Sequence, residues 1–214
     1  MKHIVKSTPP ASLETYKAIE GARFDDMPKT VKEELRKSLV SEQGSLCCYC
    51  GKRILADHHS IIEHLYPKGN EKYCHLQLEY DNLLCSCDGG ESERSGKPKS
   101  EKRKFPSFCD DKKNDQILLL TPLDPTCEDQ FSYDEEGNIY GMTDSADEAI
   151  RILGLDCWPL VNARRQAIEP YVKMSMENAE WLVVIDDLLK RHDGVFLPFC
   201  FATVSYIRNF KMVV

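Results

Sequence analysis

The sequence predicts an α+β protein in which a small, metal-held core of short strands is jacketed by helices before and after it. Three observations carry that expectation. Residues 46–54 place Cys47, Cys50 and Gly51 in one tight turn, a knuckle from which two thiolates reach a single tetrahedral ion. Stretches of β character follow at residues 61–66 and 131–140. Residues 11–44 and 145–210 instead show the apolar spacing of helices. A chain of 214 residues suffices for one such unit. It divides into a helical segment at 1–44, a core at 45–125 with a polar insertion at 88–107, and a hairpin followed by helices at 126–214.

In the first segment Thr8, Pro9 and Pro10 break regular structure, and Leu13, Tyr16 and Ile19 mark a short helix. Asp26 is expected to cap the next helix, with Pro28 in its first turn and Gly44 at its end. Val31, Leu35 and Leu39 share one face of it, and Glu33 pairs with Lys37 on the other. Pro67 stops the strand at 61–66, which presents Glu63 and His64 near its end. The insertion, rich in Gly, Ser, Lys and Glu, reads as a mobile loop. Asp110 and Asp111 favour the start of a short helix running toward Ile117. Residues 131–140 form a hairpin around Asp134, Glu135, Glu136 and Gly137.

Four helices complete the pattern. Ser145 with Glu148 caps the first, and Gly154 closes it. Asp156 caps the second, with Leu160, Ala163, Ala167 and Ile168 on one side and Pro170 bending or ending it. The third, at 174–191, buries Leu182, Ile185, Leu188 and Leu189. The fourth starts at Pro198 and passes through Tyr206 and Phe210.

Composition narrows the function classes. Apolar residues at 42% and charged residues at 29% are ordinary for a soluble globular chain. The longest apolar run, 195–202, is too short to span a bilayer. Residues 1–7 lack the apolar segment of a signal peptide, so a cytoplasmic location is expected. In that reducing compartment the ten cysteines serve metal binding better than disulfides. A net charge of −7 excludes a chain that coats nucleic acid nonspecifically, so such contact must be local or helped by a partner.

Two chemistries are interleaved in the core. Cys47 and Cys50 need a second thiolate pair, for which Cys85, Cys87 and Cys109 are candidates. Cys87 with Cys109 would close a four-thiolate zinc site across the insertion and tie it at both ends. Cys48, Cys74, Cys127, Cys157 and Cys200 lack such spacing and read as core or incidental thiols. The hard set comprises Glu63, His64, Asn82 and the acids after Cys109. Neighbours in a strand point to opposite faces, so Glu63 and His64 converge on one site only where the strand ends or bends. The basic run 97–104, with Lys112 and Lys113, offers phosphate contacts, against the plainer reading of a solvated loop. His58 and His59 read as an exposed turn, and Trp158, Arg164 and Arg165 as partner contacts or as packed and solvated residues.

Four stretches, Leu46-Cys47-Cys48-Tyr49-Cys50, Ile62-Glu63-His64-Leu65-Tyr66-Pro67-Lys68, Asn82-Leu83-Leu84-Cys85-Ser86-Cys87-Asp88-Gly89-Gly90 and Cys109-Asp110-Asp111-Lys112-Lys113, together resemble the HNH branch of the ββα-metal (His-Me finger) endonucleases. More closely they resemble the HNH effectors of Septu and retron anti-phage systems. Thr121-Pro122-Leu123-Asp124, Phe131-Ser132-Tyr133 and Ile152-Leu153-Gly154-Leu155-Asp156 fit the same group. The resemblance implies a zinc-stapled ββα-metal core that hydrolyses phosphodiesters of DNA or RNA, leaving 5′-phosphate and 3′-hydroxyl ends. It implies that His64 is the general base, that Asn82 positions it through hydrogen bonds, and that Glu63 binds the catalytic Mg²⁺ or Mn²⁺. The last ligand position, normally His or Asn just after the final cysteine, is held here by Asp110, with Asp111 as the alternative. A partner is also implied, the ATPase of the Septu-type pair, which resembles ABC and structural-maintenance-of-chromosomes ATPases. The competing expectation, from a different class, is a noncatalytic zinc-binding adaptor for protein or nucleic acid.

Overall fold

The computed structural model describes residues 1–102 and 104–212, so Arg103 of the basic run lies outside the described residues. Helix α1 (Ala11–Lys17) buries Leu13 and Tyr16, and α2 (Lys29–Glu42) buries Leu35, Leu39 and Val40. Asp26 does not cap α2: Pro28 stands at that position and offers no side-chain acceptor. Glu33 pairs with Lys29 at 3.7 Å rather than with Lys37.

The C-terminal end of α2 anchors the core. The buried Glu42 carboxylate pairs with Lys6 and accepts from the Ser7 amide and hydroxyl, both at 2.8 Å, and from Tyr80 Oη at 3.1 Å. So many donors offset the cost of burying its charge. Next to it, the Gln43 side-chain amide exchanges two hydrogen bonds of 2.7 Å with the backbone of Cys85, as a neighbouring strand would.

That backbone belongs to β2 (Leu83–Cys87), which pairs antiparallel with β1 (Ser60–His64), setting Glu63 opposite Leu84 and His64 opposite Leu83. The expected knuckle forms at 46–54 around a single bridge between Leu46 and Arg53 rather than between two strands. The insertion contains two one-turn helices, α3 (Glu91–Arg94) and α4 (Lys99–Lys102), where a loop was expected. It closes on itself because Gly89 has φ +61°, donates no side chain to the junction, and accepts from the Phe108 amide at 3.2 Å. Helix α5 (Cys109–Lys113) then packs on β2 and stops at Asn114, whose φ of 49° is left-handed, well before Ile117.

The hairpin of β3 (Phe131–Tyr133) and β4 (Ile139–Gly141) follows, then α6 (Asp144–Leu153), α7 (Trp158–Val172), α8 (Asn178–Leu188) and α9 (Cys200–Phe210). Thr143, not Ser145, caps α6, its hydroxyl accepting from the Ala146 amide at 3.4 Å. Cys157 rather than Asp156 precedes α7, and Pro170 sits within its last turn without ending it. In α8 Trp181 takes the buried position expected of Leu182, which is 57% exposed. The start of α9 supports the knuckle, with the Phe199 amide donating to the Gly51 carbonyl at 3.1 Å. The result is a mixed helix and small-sheet fold, and no helix among the described residues is long and apolar enough to cross a membrane.

Arg164 is a packing residue. It is buried, and its guanidinium donates to the carbonyls of Gly137 at 2.7 Å and Leu155 at 2.9 Å, joining the hairpin turn to the α6–α7 junction. Replacing Arg164 with Met strands both acceptors, and a loss of about 2–4 kcal/mol is expected in urea denaturation. Arg165 points out to Glu136 at 3.8 Å, and its replacement should cost little.

Candidate active site and metal centre

The Sγ atoms of Cys47, Cys50, Cys87 and Cys109 all lie within 4.8 Å of one another, and all four residues are buried. Cys47 and Cys109 are 3.8 Å apart and Cys50 and Cys87 3.9 Å. A tetrahedral zinc with bonds of about 2.3 Å requires sulfur–sulfur edges of about 3.8 Å, so the donor set fits that ion. The amides of Lys52 and Cys87 donate to Cys50 Sγ at 3.4 Å and Cys47 Sγ at 3.3 Å. Burial disfavours a thiolate at Cys47, yet hydrogen bonds from Cys109, Cys48, Cys50 and Cys87 outweigh it and hold its pKa below the ordinary thiol value. Cys85 lies outside the cluster, and burial pushes its thiol up to about 12. The fold thus brings Cys87 and Cys109, and not Cys85, to Cys47 and Cys50. Cys48, Cys127 and Cys200 are buried elsewhere, Cys157 is half-buried and Cys74 is exposed.

The cluster joins the knuckle, the last residue of β2 and the first residue of α5, and so fixes what α5 presents to β1. Glu63 is buried, and its Oε1 accepts from Tyr49 Oη at 2.9 Å and pairs with Lys113 Nζ at 2.7 Å. Burial and the Glu63 charge keep the Tyr49 phenol protonated as a donor. Asp110, one turn before Lys113, sits beside Glu63: burial first, then the hydrogen bond and charge of Glu63, raise its carboxyl to about 8. Lys113 lies beside the two acids, paired with Glu63 and lowering the Asp110 carboxyl against the other effects. Asp111 points away, pairing with Arg94 at 2.6 Å.

Lys113 corrects a sequence expectation. It is 1% exposed, and besides the Glu63 pair it donates to the His64 carbonyl at 3.0 Å, so it is an internal counter-ion and not a surface phosphate contact. Lys112 leans instead on Gly154 at the end of α6 and is half-buried.

His64 ends β1 and is 7% exposed. Its ring meets the Phe24 ring nearly edge-on, with centroids 4.5 Å apart, and its Nε2 lies 3.1 Å from the Gln77 carbonyl. A carbonyl can only accept, so Nε2 carries the proton and Nδ1 is the unprotonated nitrogen. Burial lowers the imidazole pKa to about 4, which leaves it neutral near pH 7. Phe24 is itself held by its amide, which donates to the Gln77 side chain at 3.0 Å.

Asn82 does not hydrogen-bond the imidazole as expected. Its Nδ2 donates to the carbonyls of Tyr66 and Leu76, both at 3.1 Å, and its Oδ1 accepts from the Tyr66 amide at 2.8 Å. The amide thus clamps the chain as it leaves β1, two residues beyond His64. The structure brings Glu63, Asp110 and Lys113 together. The His64 ring faces Phe24 and Gln77 instead, joined to that group through Lys113 and its own backbone. His58 and His59 are exposed. Tyr49, Phe24 and Gln77 also shape the site without being among its sequence-predicted residues. Tyr49 had a signal, a polar-tipped aromatic between two zinc-spaced cysteines, whereas Phe24 and Gln77 had none.

No family model matches the chain. Over 174 residues it is 31% identical to the protein described as "Retron Vc95 putative HNH endonuclease" from Vibrio cholerae serotype O1 biovar El Tor, an alignment covering 75% of this chain and 78% of that relative. With Glu63 and His64 closing one short strand and Cys109-Asp110 opening the helix beside it, on a four-cysteine cluster, the chain belongs to the HNH endonuclease family.

Proposed function

We propose that this protein is a metal-dependent HNH endonuclease that hydrolyses phosphodiester bonds of nucleic acid, as the effector of an anti-phage system of the Septu or retron type. The observation that carries the reading is the buried Glu63–Asp110 carboxyl pair, with the neutral His64 next to Glu63 in the chain at the end of β1. In this reading β1, β2 and α5 are the ββα-metal core, the segments 1–44 and 126–214 are its jacket, and Cys47, Cys50, Cys87 and Cys109 hold structural zinc.

Glu63 and Asp110 supply oxygen donors on adjacent elements with too little positive charge around them, a set suited to Mg²⁺ or Mn²⁺. When bound, such an ion would supply Lewis-acid stabilisation of the charge that develops as a phosphodiester is hydrolysed. Lys113 offsets part of the acid charge and keeps Glu63 in place. His64 Nδ1 takes the proton of the attacking water, its Nε2 proton being committed to the Gln77 carbonyl. Asn82 fixes the path of the chain just past the base. Phe24 shields one side of the imidazole from water. The chain is acidic overall, which fits dependence on a partner, and we assign that role to a Septu-type ATPase in the cytoplasm.

The test is cleavage of plasmid DNA and structured RNA with Mg²⁺ or Mn²⁺, with and without the ATPase. His64→Ala is expected to lower the rate about 10²–10⁴-fold while zinc content and melting temperature hold. Full cleavage by a folded His64→Ala protein would remove the base from His64. A wild-type protein that cleaves nothing under any of these conditions would leave the zinc adaptor as the better reading.

A further inference from the structure

We propose that Trp158 and Phe105, flanked by Lys97 and Lys104, form a stacking platform for an unpaired nucleotide of the nucleic acid this protein acts on. It rests on the nuclease reading above and specifies the substrate as one with a single-stranded stretch.

Trp158 is the first residue of α7 and is 54% exposed, although nothing in the helix requires an aromatic there. Its ring meets Phe105, at the end of the insertion, with centroids 5.2 Å apart and planes at 75°. The two rings share a shallow groove with Lys97, Glu101 and Lys104. Lys97 Nζ stands 5.7 Å from the centre of the Phe105 ring, so a cation lies beside the aromatic surface.

Charge points to the occupant. Residues 97–104 carry five basic side chains against one carboxylate in a chain whose net charge is −7. Aromatic faces interleaved with cations are what successive bases and phosphates of a single strand require. A duplex keeps its base faces stacked internally and can offer this groove only its phosphates. The platform is also separate from the proposed reaction centre: Lys113 of α5 faces Glu63, while the insertion that carries Phe105 is tied to the other side of α5 through Arg94 and Asp111. The fold thereby gives the same strand a place to be held and a place to be cut.

Binding is measured apart from cleavage, on the full chain, with Ca²⁺ replacing Mg²⁺. The probes are a labelled 12-nucleotide single strand, the same strand with abasic sites, and the matching duplex. The single strand is expected to bind more tightly than the duplex, and Trp158→Ala to weaken it about tenfold, with Trp158→Phe retaining most of the affinity. Since the other tryptophan, Trp181, is buried, quenching of indole fluorescence by the single strand should vanish in Trp158→Ala. Lys97→Ala with Lys104→Ala should flatten the salt dependence. Equal binding of abasic and intact strands, or unchanged affinity in Trp158→Ala, overturns the platform, as does an effect of Trp158→Ala confined to ATPase association. Trp158-dependent binding without cleavage under any metal, with or without the ATPase, would sink the nuclease reading and keep the platform. Cleavage that depends on His64 but is indifferent to Trp158 and to base removal would do the reverse.

Discussion

Replacing Cys109 by Ser is expected to strip zinc from the protein and to unfold the core that carries Glu63, His64 and Asp110. The four sulfurs join the knuckle, β2 and α5, and both β2 and α5 are five residues long. A two-stranded sheet and a single-turn helix of that size are not stable by themselves in water. Structural zinc contributes on the order of 10–16 kcal/mol in small thiolate domains, as much as the whole stability of a typical domain, so the variant should not keep this core. Metal analysis of the purified protein should fall from about one zinc per chain to near zero, and the melting transition should broaden or disappear. Cleavage should go with it, because Asp110 and Lys113 follow Cys109 on the same helix. Cys74→Ser is the control, since that thiol is exposed and outside the cluster and should keep its zinc. Zinc retained in Cys109→Ser but lost in Cys85→Ser would overturn the ligand assignment.

This staple is the part of the site that was most legible in the sequence. Cys47 and Cys50 share a turn whatever the rest of the chain does, so their spacing alone limits where a second pair can come from. The acids after Cys109 were less legible. Successive residues of a helix point about 100° apart, so Asp110 and Asp111 cannot serve the same site, and the choice between them rests on Arg94, 17 positions earlier, which takes Asp111. Lys113 read as wet because it follows another lysine, yet it lies three residues after Asp110 and shares its face. Helix caps failed for a related reason. Asp26, Ser145 and Asp156 are all good capping residues, but packing set the helix starts one to three residues away from them. The surroundings of His64 come from Phe24 and Gln77, whose approach is a matter of tertiary structure alone.

Asp110→Asn and Glu63→Gln are expected to shift stability in opposite directions while both abolish cleavage. The two carboxyls sit together, with the Lys113 ammonium beside them. In the metal-free protein Asp110 is the strained member, raised to about 8 by burial and by Glu63. A raised carboxyl pKa means that the folded state holds a proton the unfolded chain has released, so wild-type stability falls as pH climbs from about 4 toward about 8. Asn cannot ionise. The Asp110→Asn protein should therefore be the more stable by about 1–2 kcal/mol at neutral pH, with the difference vanishing toward pH 4, a gain of the kind seen when functional strain is removed. Glu63→Gln instead breaks the buried ion pair with Lys113, leaving Asp110 as the acid beside it, and should cost up to about 3–5 kcal/mol. If Glu63 and Asp110 hold the ion as proposed, added Mn²⁺ should raise the wild-type melting temperature and leave both variants unmoved. Asp111→Asn, which alters the pair with the half-buried Arg94 on the other side of α5, should keep both the Mn²⁺ response and cleavage. If Asp110→Asn still responds to Mn²⁺ while Asp111→Asn does not, the ion sits on the outer acid, and α5 must turn by one residue when it binds.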